Sequence, residues 1–431
     1  MKTYYSAQLD LSMDGKTVRV AGWANDIRIL GNIAFINLRD HYGFIQLTFP
    51  KKQVGELFNE LKQVTKESVI SAEGNLKANK QAPRGFEIIP TSLKVLSKAK
   101  SPLPMDISGR IQSELETRLN ARFMDLRNPK NSAVFVVRDS MLTGIRNFMD
   151  ENEFIEVHTP KIVSAAAEGG STLFPVKYFD ENAYLTQSPQ LFKQILMATG
   201  LNRVYEIAPA FRAEKSDTTR HLSEFTSFDF EMAFIDSMED ILKVQEEMIS
   251  SVFKHLNKTA KAELKLLGTS LNQPKTPFKR VSFEEARDLL AKKGKTVVND
   301  LDTEAEKMLG ELITKEGSEF YFITDFPSED KPFYIMESDD GYCHSFDLDY
   351  KGEEMASGGQ REHRYNELVA RIKKQGLKPK NFEFYLSAFQ YGMPPHGGMG
   401  LGIERLVEKV LGLPNVREAV LFPRDRYRMV P

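Results

Sequence analysis

Apolar and polar residues alternate in short runs over the first hundred positions. TVRVAGWA (17–24), IAFINLRD (33–40), GFIQLTFP (43–50), SVISAEG (68–74) and GFEIIPTSLKVL (85–96) are β-rich and separated by Gly and Asp turns, which predicts five strands. Between the third and fourth, KKQVGELFNELKQVTK sets Val54, Leu57, Phe58 and Leu61 at helical spacing. SKAKSPLPMD (97–106), with its prolines, small residues and lysines, has the composition of a linker. The pattern then changes period. Val137, Met141, Ile145 and Phe148 recur at i, i+4, i+8 and i+11, predicting a helix that stops at Asn152 and runs into the extended FIEVHTPKI. Pro160 cannot donate to a central ladder, so that segment suits a sheet edge or a dimer seam. YLTQSPQLFKQILMATG (184–200) passes from strand to helix, and RVYEIAP and FTSFDFEMAF predict an antiparallel pair joined by a long polar loop.

Five strands with a helix between the third and fourth predict an OB-fold barrel over 1–104, an architecture whose strands 2 and 3 often face single-stranded nucleic acid. A hinge is expected over 105–131 and a second domain over 132–431, with a small solvated helical insertion around 250–320. The fold class is α+β.

Composition excludes several classes. The chain has 431 residues, no apolar run near the ~18 residues of a membrane span, and no signal-peptide pattern at its start. Its one cysteine, Cys343, cannot form an internal disulfide, so the expected location is cytoplasmic. A net charge of -2 argues against a wholly basic nucleic-acid binder but leaves room for local basic patches.

The chemistry concentrates in a few short stretches. FRAEKSDTTRHLSEF (211–225) puts Arg212 and Glu214 at the end of one strand and Phe225 at the start of the next. An arginine fork matches a phosphate, a carboxylate accepts from an exocyclic amine, and a ring stacks on a base; these are the parts of an ATP site without a P-loop. Neither GxxxxGK[ST] nor GxGxxG occurs. Gln190 and Lys193 are three apart and share a helix face, and AAAEGGSTLFPV (165–176) is a loop of small residues with one acid, Glu168. In SFDLDYKGEEMASGGQREHRYN (345–366), Asp347, Glu354 and Ser357 are hard oxygen ligands suited to Mg²⁺, or else one solvated acidic strand, with Arg361 just beyond. A Pro- and Gly-rich strand then feeds a helix beginning near Gly400, where Gly402 permits close backbone approach and Arg405 can meet a phosphate. In the barrel, Phe35 alternates with Ile36 and is either core or an aromatic platform for an unstacked base, with Arg28 and Gln46 on adjacent segments.

FIEVHTPKI, FRAE…RHLSEF and GMGLGIERL, in that order, resemble motifs 1, 2 and 3 of the class II aminoacyl-tRNA synthetases. With RFMDLR (122–127), QSPQLFKQ, ASGGQREHR and YGMPPHGG, essentially the whole chain is similar to the aspartyl-tRNA synthetases of archaeal and eukaryotic type. The resemblance implies an anticodon-binding OB domain, an antiparallel six- or seven-stranded catalytic sheet flanked by helices, a homodimer through motif 1, and ATP with Mg²⁺. Carried over to this chain, it implies Arg212 on the α-phosphate, Glu214 on the adenine amine, Phe225 on the adenine face, and His221 and Arg405 on the distal phosphates. Arg220, Leu222 and Gly402 complete the ATP set, and Arg212, Arg405 and Glu354 are the catalytic groups. Asp347, Glu354 and Ser357 would organise Mg²⁺. Lys193 and Arg361 would take the side-chain carboxylate of L-aspartate with Gln190 and Ser357 in support, and Glu168 with Asp229 its ammonium.

The same resemblance turns Phe35, Gln46 and Arg28 into anticodon readers of tRNA(Asp). Relatives restricted to that tRNA tend to carry a tryptophan and a lysine where this chain has Asn25 and Pro83, which implies a relaxed enzyme that also charges tRNA(Asn). The alternatives are a discriminating aspartyl enzyme and an asparaginyl enzyme of the same fold.

Overall fold

The computed structural model describes residues 3–164, 173–213, 218–298, 300–329 and 331–431. It divides into two compact units, Met1–Thr117 and Arg118–Pro431.

In the first unit, strands β1 (Thr17–Leu30), β2 (Ile33–Asp40), β3 (Gly43–Pro50), β4 (Val69–Ala78) and β5 (Phe86–Ser97) close into a barrel of order β1-β2-β3-β5-β4. The alternation seen in sequence becomes inside and outside: Val18, Val20, Ala34, Ile36, Leu38, Ile45, Leu47 and Phe49 fill the interior. The single helix expected between β3 and β4 is instead two short turns, Lys51–Val54 and Leu57–Glu60, followed by a 3₁₀ turn. Gly55, at φ 56, explains the break, because the left-handed backbone that glycine accepts cannot continue an α-helix. Val54, Leu57 and Phe58 still pack against the barrel.

The second unit holds a sheet of eight strands, in order β12-β13-β14-β15-β16-β11-β10-β6, and a separate three-stranded sheet. Here β6 is Ile155–Glu156, the small sheet is β7 (Ile162–Val163), β8 (Pro175–Tyr178) and β9 (Glu181–Leu185), and β10 and β11 are Arg203–Phe211 and Glu224–Ala233. β12 is Lys279–Ser282, β13 Phe320–Pro327, β14 Tyr342–Tyr350, β15 Glu354–Gln360 and β16 His396–Gly402. The six central strands are antiparallel, but β6 pairs parallel with β10 and β12 parallel with β13, so the sheet is mixed rather than purely antiparallel.

One face of this sheet is apolar. Phe228 and Phe230 of β11, Phe346 and Leu348 of β14 and Met399 of β16 pack with helices Pro129–Glu151 and Met238–Thr259 in one core. The period of two along β11 therefore sends Ser227, Asp229 and Glu231 to the other face. The stretch 250–320 contains helices Phe283–Ala291 and Thr303–Lys315 as well as β12. Its residues Phe283, Leu290, Leu309 and Ile313 are buried in a second core with Tyr321 and Ile323 of β13, so it is integral packing rather than a solvated appendage.

Candidate active site

A cavity of ≈ 380 Å³ opens on the polar face of the large sheet, within the range that takes small-molecule ligands. Its wall includes Gln190, Arg212, Arg220, His221, Leu222, Phe225, Asp229, Glu354, Ser357, Arg361, Gly402 and Arg405. Twelve positions singled out from the sequence thus meet in one cleft although they span more than two hundred residues. Lys193 lies just beneath it. Glu168 and Glu214 fall outside the described residues.

Register explains the convergence. The β10–β11 ladder ends at Phe211 opposite Glu224, so Arg212, the first residue past β10, comes beside Phe225, which pairs with Ala210 in the last rungs of the ladder, and the Arg212 guanidinium carbon lies 5.4 Å from the Phe225 ring centroid. His221 Nδ1 is 2.5 Å from Thr218 Oγ1. On the opposite wall, Gly402 ends β16 and helix Ile403–Leu411 begins. Glu404 pins that helix: its Oε2 accepts from the Thr226 amide at 2.8 Å and its Oε1 from Arg138 Nη2 at 2.9 Å. This fixes the neighbouring Arg405, whose Nη1 lies 3.8 Å from Glu354 Oε2.

The deep end is a buried charge network. Lys193, on helix Gln190–Met197, is 3% exposed and donates to Asp229 Oδ1 at 3.0 Å and to the Met399 carbonyl at 2.8 Å. Arg361 is 2% exposed; its Nε donates to Glu231 Oε1 at 2.9 Å and its Nη2 to the Gly398 carbonyl at 2.9 Å. Glu231 Oε2 also lies 3.4 Å from Lys193 Nζ. Burial opposes ionisation of Glu231, yet Arg361 and Lys193 outweigh it and hold the carboxyl below its ordinary range. Gln190 accepts from Arg361 through Oε1 at 3.4 Å, while its buried Nε2 has no partner among the described residues.

The acidic edge is built by the β14–β15 ladder, which sets Asp347 directly opposite Ser357. Asp347 Oδ2 accepts from Lys331 Nζ at 3.3 Å, and Asp347 Oδ1 is buried without a partner among the described residues. Desolvation first, and the nearby Asp347 charge second, push the Glu354 carboxyl above its ordinary range. An unsatisfied hard oxygen, a second crowded carboxylate and a hydroxyl are a donor set that fits Mg²⁺, which takes one or two carboxylates and fills its shell with water and phosphate oxygens. Among the described residues no group of three His, Cys, Asp or Glu is arranged to hold a metal by itself.

Sequence reasoning missed Glu231, Lys331, Glu306 and Glu353. Glu231 was legible, since it shares a strand face with Asp229 two residues before it; the other three depend on long-range packing.

In the barrel, Phe35 is only half-buried and sits between Arg28 of β1 and Thr48 of β3, on the outer face, while its neighbours Ala34 and Ile36 point inward. The core alternative for Phe35 is thereby removed. Arg28 Nε donates to Asp26 Oδ2 at 2.8 Å, and Gln46 Nε2 donates to Thr48 Oγ1 at 3.2 Å and Glu87 Oε2 at 3.0 Å. Asn25 is the extra residue where the β1–β2 register slips, and its Oδ1 accepts from Arg39 Nη1 at 2.7 Å; Pro83 is exposed in the turn before β5.

Residues 114–426 match the family of tRNA synthetases class II (D, K and N), and residues 18–96 match the OB-fold nucleic acid binding domain. The chain is 50% identical to the aspartate–tRNA(Asp) ligase of Pyrococcus horikoshii and 50% identical to the aspartate–tRNA(Asp/Asn) ligase of Methanopyrus kandleri, covering 100% of all three chains. The solved structure of asparaginyl-tRNA synthetase from Pyrococcus horikoshii with asparaginyl-adenylate is similar at a TM-score of 0.93 and 36% identity, over 100% of both chains.

Proposed function

The chain belongs to the class II tRNA synthetases of the D, K and N group, and from that premise we propose that it activates L-aspartate with ATP and transfers it to tRNA(Asp) and tRNA(Asn). It is an aminoacyl-tRNA synthetase, an aspartate–tRNA ligase. The observation that carries the choice of aspartate is the set of donors at the deep end: Lys193, Arg361 and Gln190 Nε2, the last without a partner among the described residues. A carboxylate only accepts, so it satisfies such a surround; an amide brings two donors of its own and leaves them unmatched.

The cleft then divides into two ends. Phe225 offers a face to adenine, and Arg212 holds the α-phosphate, with His221, Arg220 and Arg405 on the distal phosphates. Asp229 takes the ammonium of aspartate and orients its α-carboxylate for in-line attack on the α-phosphorus, which yields aspartyl-adenylate and pyrophosphate. The arginines stabilise charge that develops on the phosphoryl oxygens, and no side-chain nucleophile is required. Asp347, Glu354 and Ser357 would hold Mg²⁺, which supplies charge neutralisation on the phosphates when bound. The 3′-terminal hydroxyl of the tRNA then attacks the aspartyl carbonyl, the acyl–phosphate bond breaks, and AMP leaves.

Phe35 supports the anticodon assignment by presenting a ring on the outer barrel face, where an unstacked base can lie on it. Asn25 and Pro83 support relaxed use of tRNA(Asn), because neither provides the large aromatic or the cation of a restricted barrel. The exposed Ile155 and Ile162 flank the segment we assign to a homodimer seam. No helix among the described residues is long and apolar enough to cross a membrane, in keeping with work in the cytoplasm. Amino-acid-dependent ATP–pyrophosphate exchange tests the activation step: aspartate should support it, asparagine should not, and Arg212→Ala should abolish it. Exchange with asparagine alone would replace the reading by an asparaginyl enzyme.

A further inference from the structure

Arg220 is held by acids from two separate parts of the chain. It lines the cleft, with Nη2 3.3 Å from Glu353 Oε2 and Nη1 3.5 Å from Glu306 Oε2. Glu353 precedes β15 and also accepts from Lys409 Nζ, at 3.1 Å, from helix Ile403–Leu411. Glu306 belongs to helix Thr303–Lys315, in the stretch to which sequence reasoning assigns no role.

The helix is fixed to the cleft at backbone level. A Cβ at Gly310 would stand 2.2 Å from Gly352 Cα, and one at Gly352 would stand 2.8 Å from the Glu306 carbonyl oxygen. Gly352 has φ +74 as well, so only glycine on both sides lets the helix reach the turn between β14 and β15. That turn leads directly into Glu353 and Glu354. The contact therefore sets Glu306 in register with the acids at the cleft edge. The cluster is no cation site in waiting, since Arg220 and Lys409 already supply its positive charge.

We propose that Glu306 and Glu353 are positioning residues that aim Arg220 at the distal phosphates of ATP, a proposal that rests on the ATP reading of this cleft. A guanidinium carries five donors in a rigid plane. Two carboxylates approaching different nitrogens fix that plane while leaving donors for a phosphate, and they lower the entropy lost when the triphosphate arrives. In this account helix Thr303–Lys315 is part of the nucleotide site although it lines none of it.

The test is aspartate-dependent ATP–pyrophosphate exchange with the full chain, comparing wild type, Glu306→Gln, Glu353→Gln, Arg220→Lys and the Glu306→Gln/Arg220→Lys pair. Each glutamine variant should raise KM for ATP by about tenfold while KM for aspartate moves by less than about twofold. The pair should be no worse than Arg220→Lys alone, because the acid acts through the arginine. KM for ATP unchanged in Glu306→Gln, both KM values rising together, or effects that multiply in the pair would overturn the proposal while leaving the function intact. Wild-type protein inactive with aspartate would overturn the functional reading first. Glu306 is only partly buried, so its isosteric variant carries the test even where Glu353→Gln fails to fold.

Discussion

Glu231 and Arg361 form a buried pair, Oε1 to Nε at 2.9 Å, and the second oxygen of Glu231 lies 3.4 Å from Lys193. One carboxylate thus holds both cations at the deep end of the cleft. Removing its charge leaves two buried cations short of a partner, a change that typically costs about 3–5 kcal/mol. Glu231→Gln is expected to lower stability on that scale in urea unfolding and to raise KM for aspartate far more than KM for ATP. Wild-type stability in that variant would show that Asp229 and the backbone carbonyls suffice.

The residues that line the cleft were legible because each sits in a short stretch whose residue types match a ligand's chemistry, as Arg212 and Phe225 do. What holds them in place was less so. Glu231 needed only the strand period, but Glu306 lies 86 residues from Arg220 and Glu353 133, and nothing local in sequence announces such contacts. The barrel was readable from alternation alone, whereas its helix was misread because Gly55 breaks a pattern whose apolar spacing runs straight through it.

Acid should weaken the fold through His396. Burial is the main cause that lowers its pKa from 6.5 to about 4, with Glu231 opposing and Arg361 adding to the shift. The unfolded chain binds this proton below about pH 6.5 while the folded one resists it. The stabilising contribution is therefore full above that pH and is lost as pH falls through about 4, amounting to roughly 3 kcal/mol. Urea unfolding at pH 7 and pH 4.5 should show the loss in wild type and a smaller one in His396→Gln.

Magnesium dependence should report on Asp347. Its buried Oδ1 has no partner among the described residues, and replacing the carboxylate by an amide removes a ligand charge. Asp347→Asn should need about tenfold more free Mg²⁺ for half-maximal exchange, and chelation should stop the wild-type reaction. An unaltered Mg²⁺ curve would assign the metal elsewhere.

The barrel should matter for tRNA and not for activation. Stacking of one base on Phe35 is worth ~1–3 kcal/mol. Phe35→Ala should raise KM for tRNA(Asp) by roughly 5- to 150-fold and leave aspartate-dependent exchange unchanged. Equal charging by the two proteins would remove Phe35 from the anticodon site.

Restriction to one tRNA should be installable. Asn25 bonds Arg39 at the β1–β2 bulge, and Pro83 is exposed before β5. The Asn25→Trp/Pro83→Lys protein should charge tRNA(Asp) as before and tRNA(Asn) at least about tenfold less well, measured with purified transcripts. Equal loss on both would mean that these positions hold the barrel rather than distinguish the two tRNAs.

In the proposed reading this cleft selects aspartate and passes it to tRNA. Aminoacylation of purified tRNA(Asp) and tRNA(Asn) transcripts, with labelled aspartate and separately with labelled asparagine, tests it most directly. Aspartate should appear on both tRNAs and asparagine on neither. Asparagine on tRNA(Asn), with no aspartate on either, would contradict it.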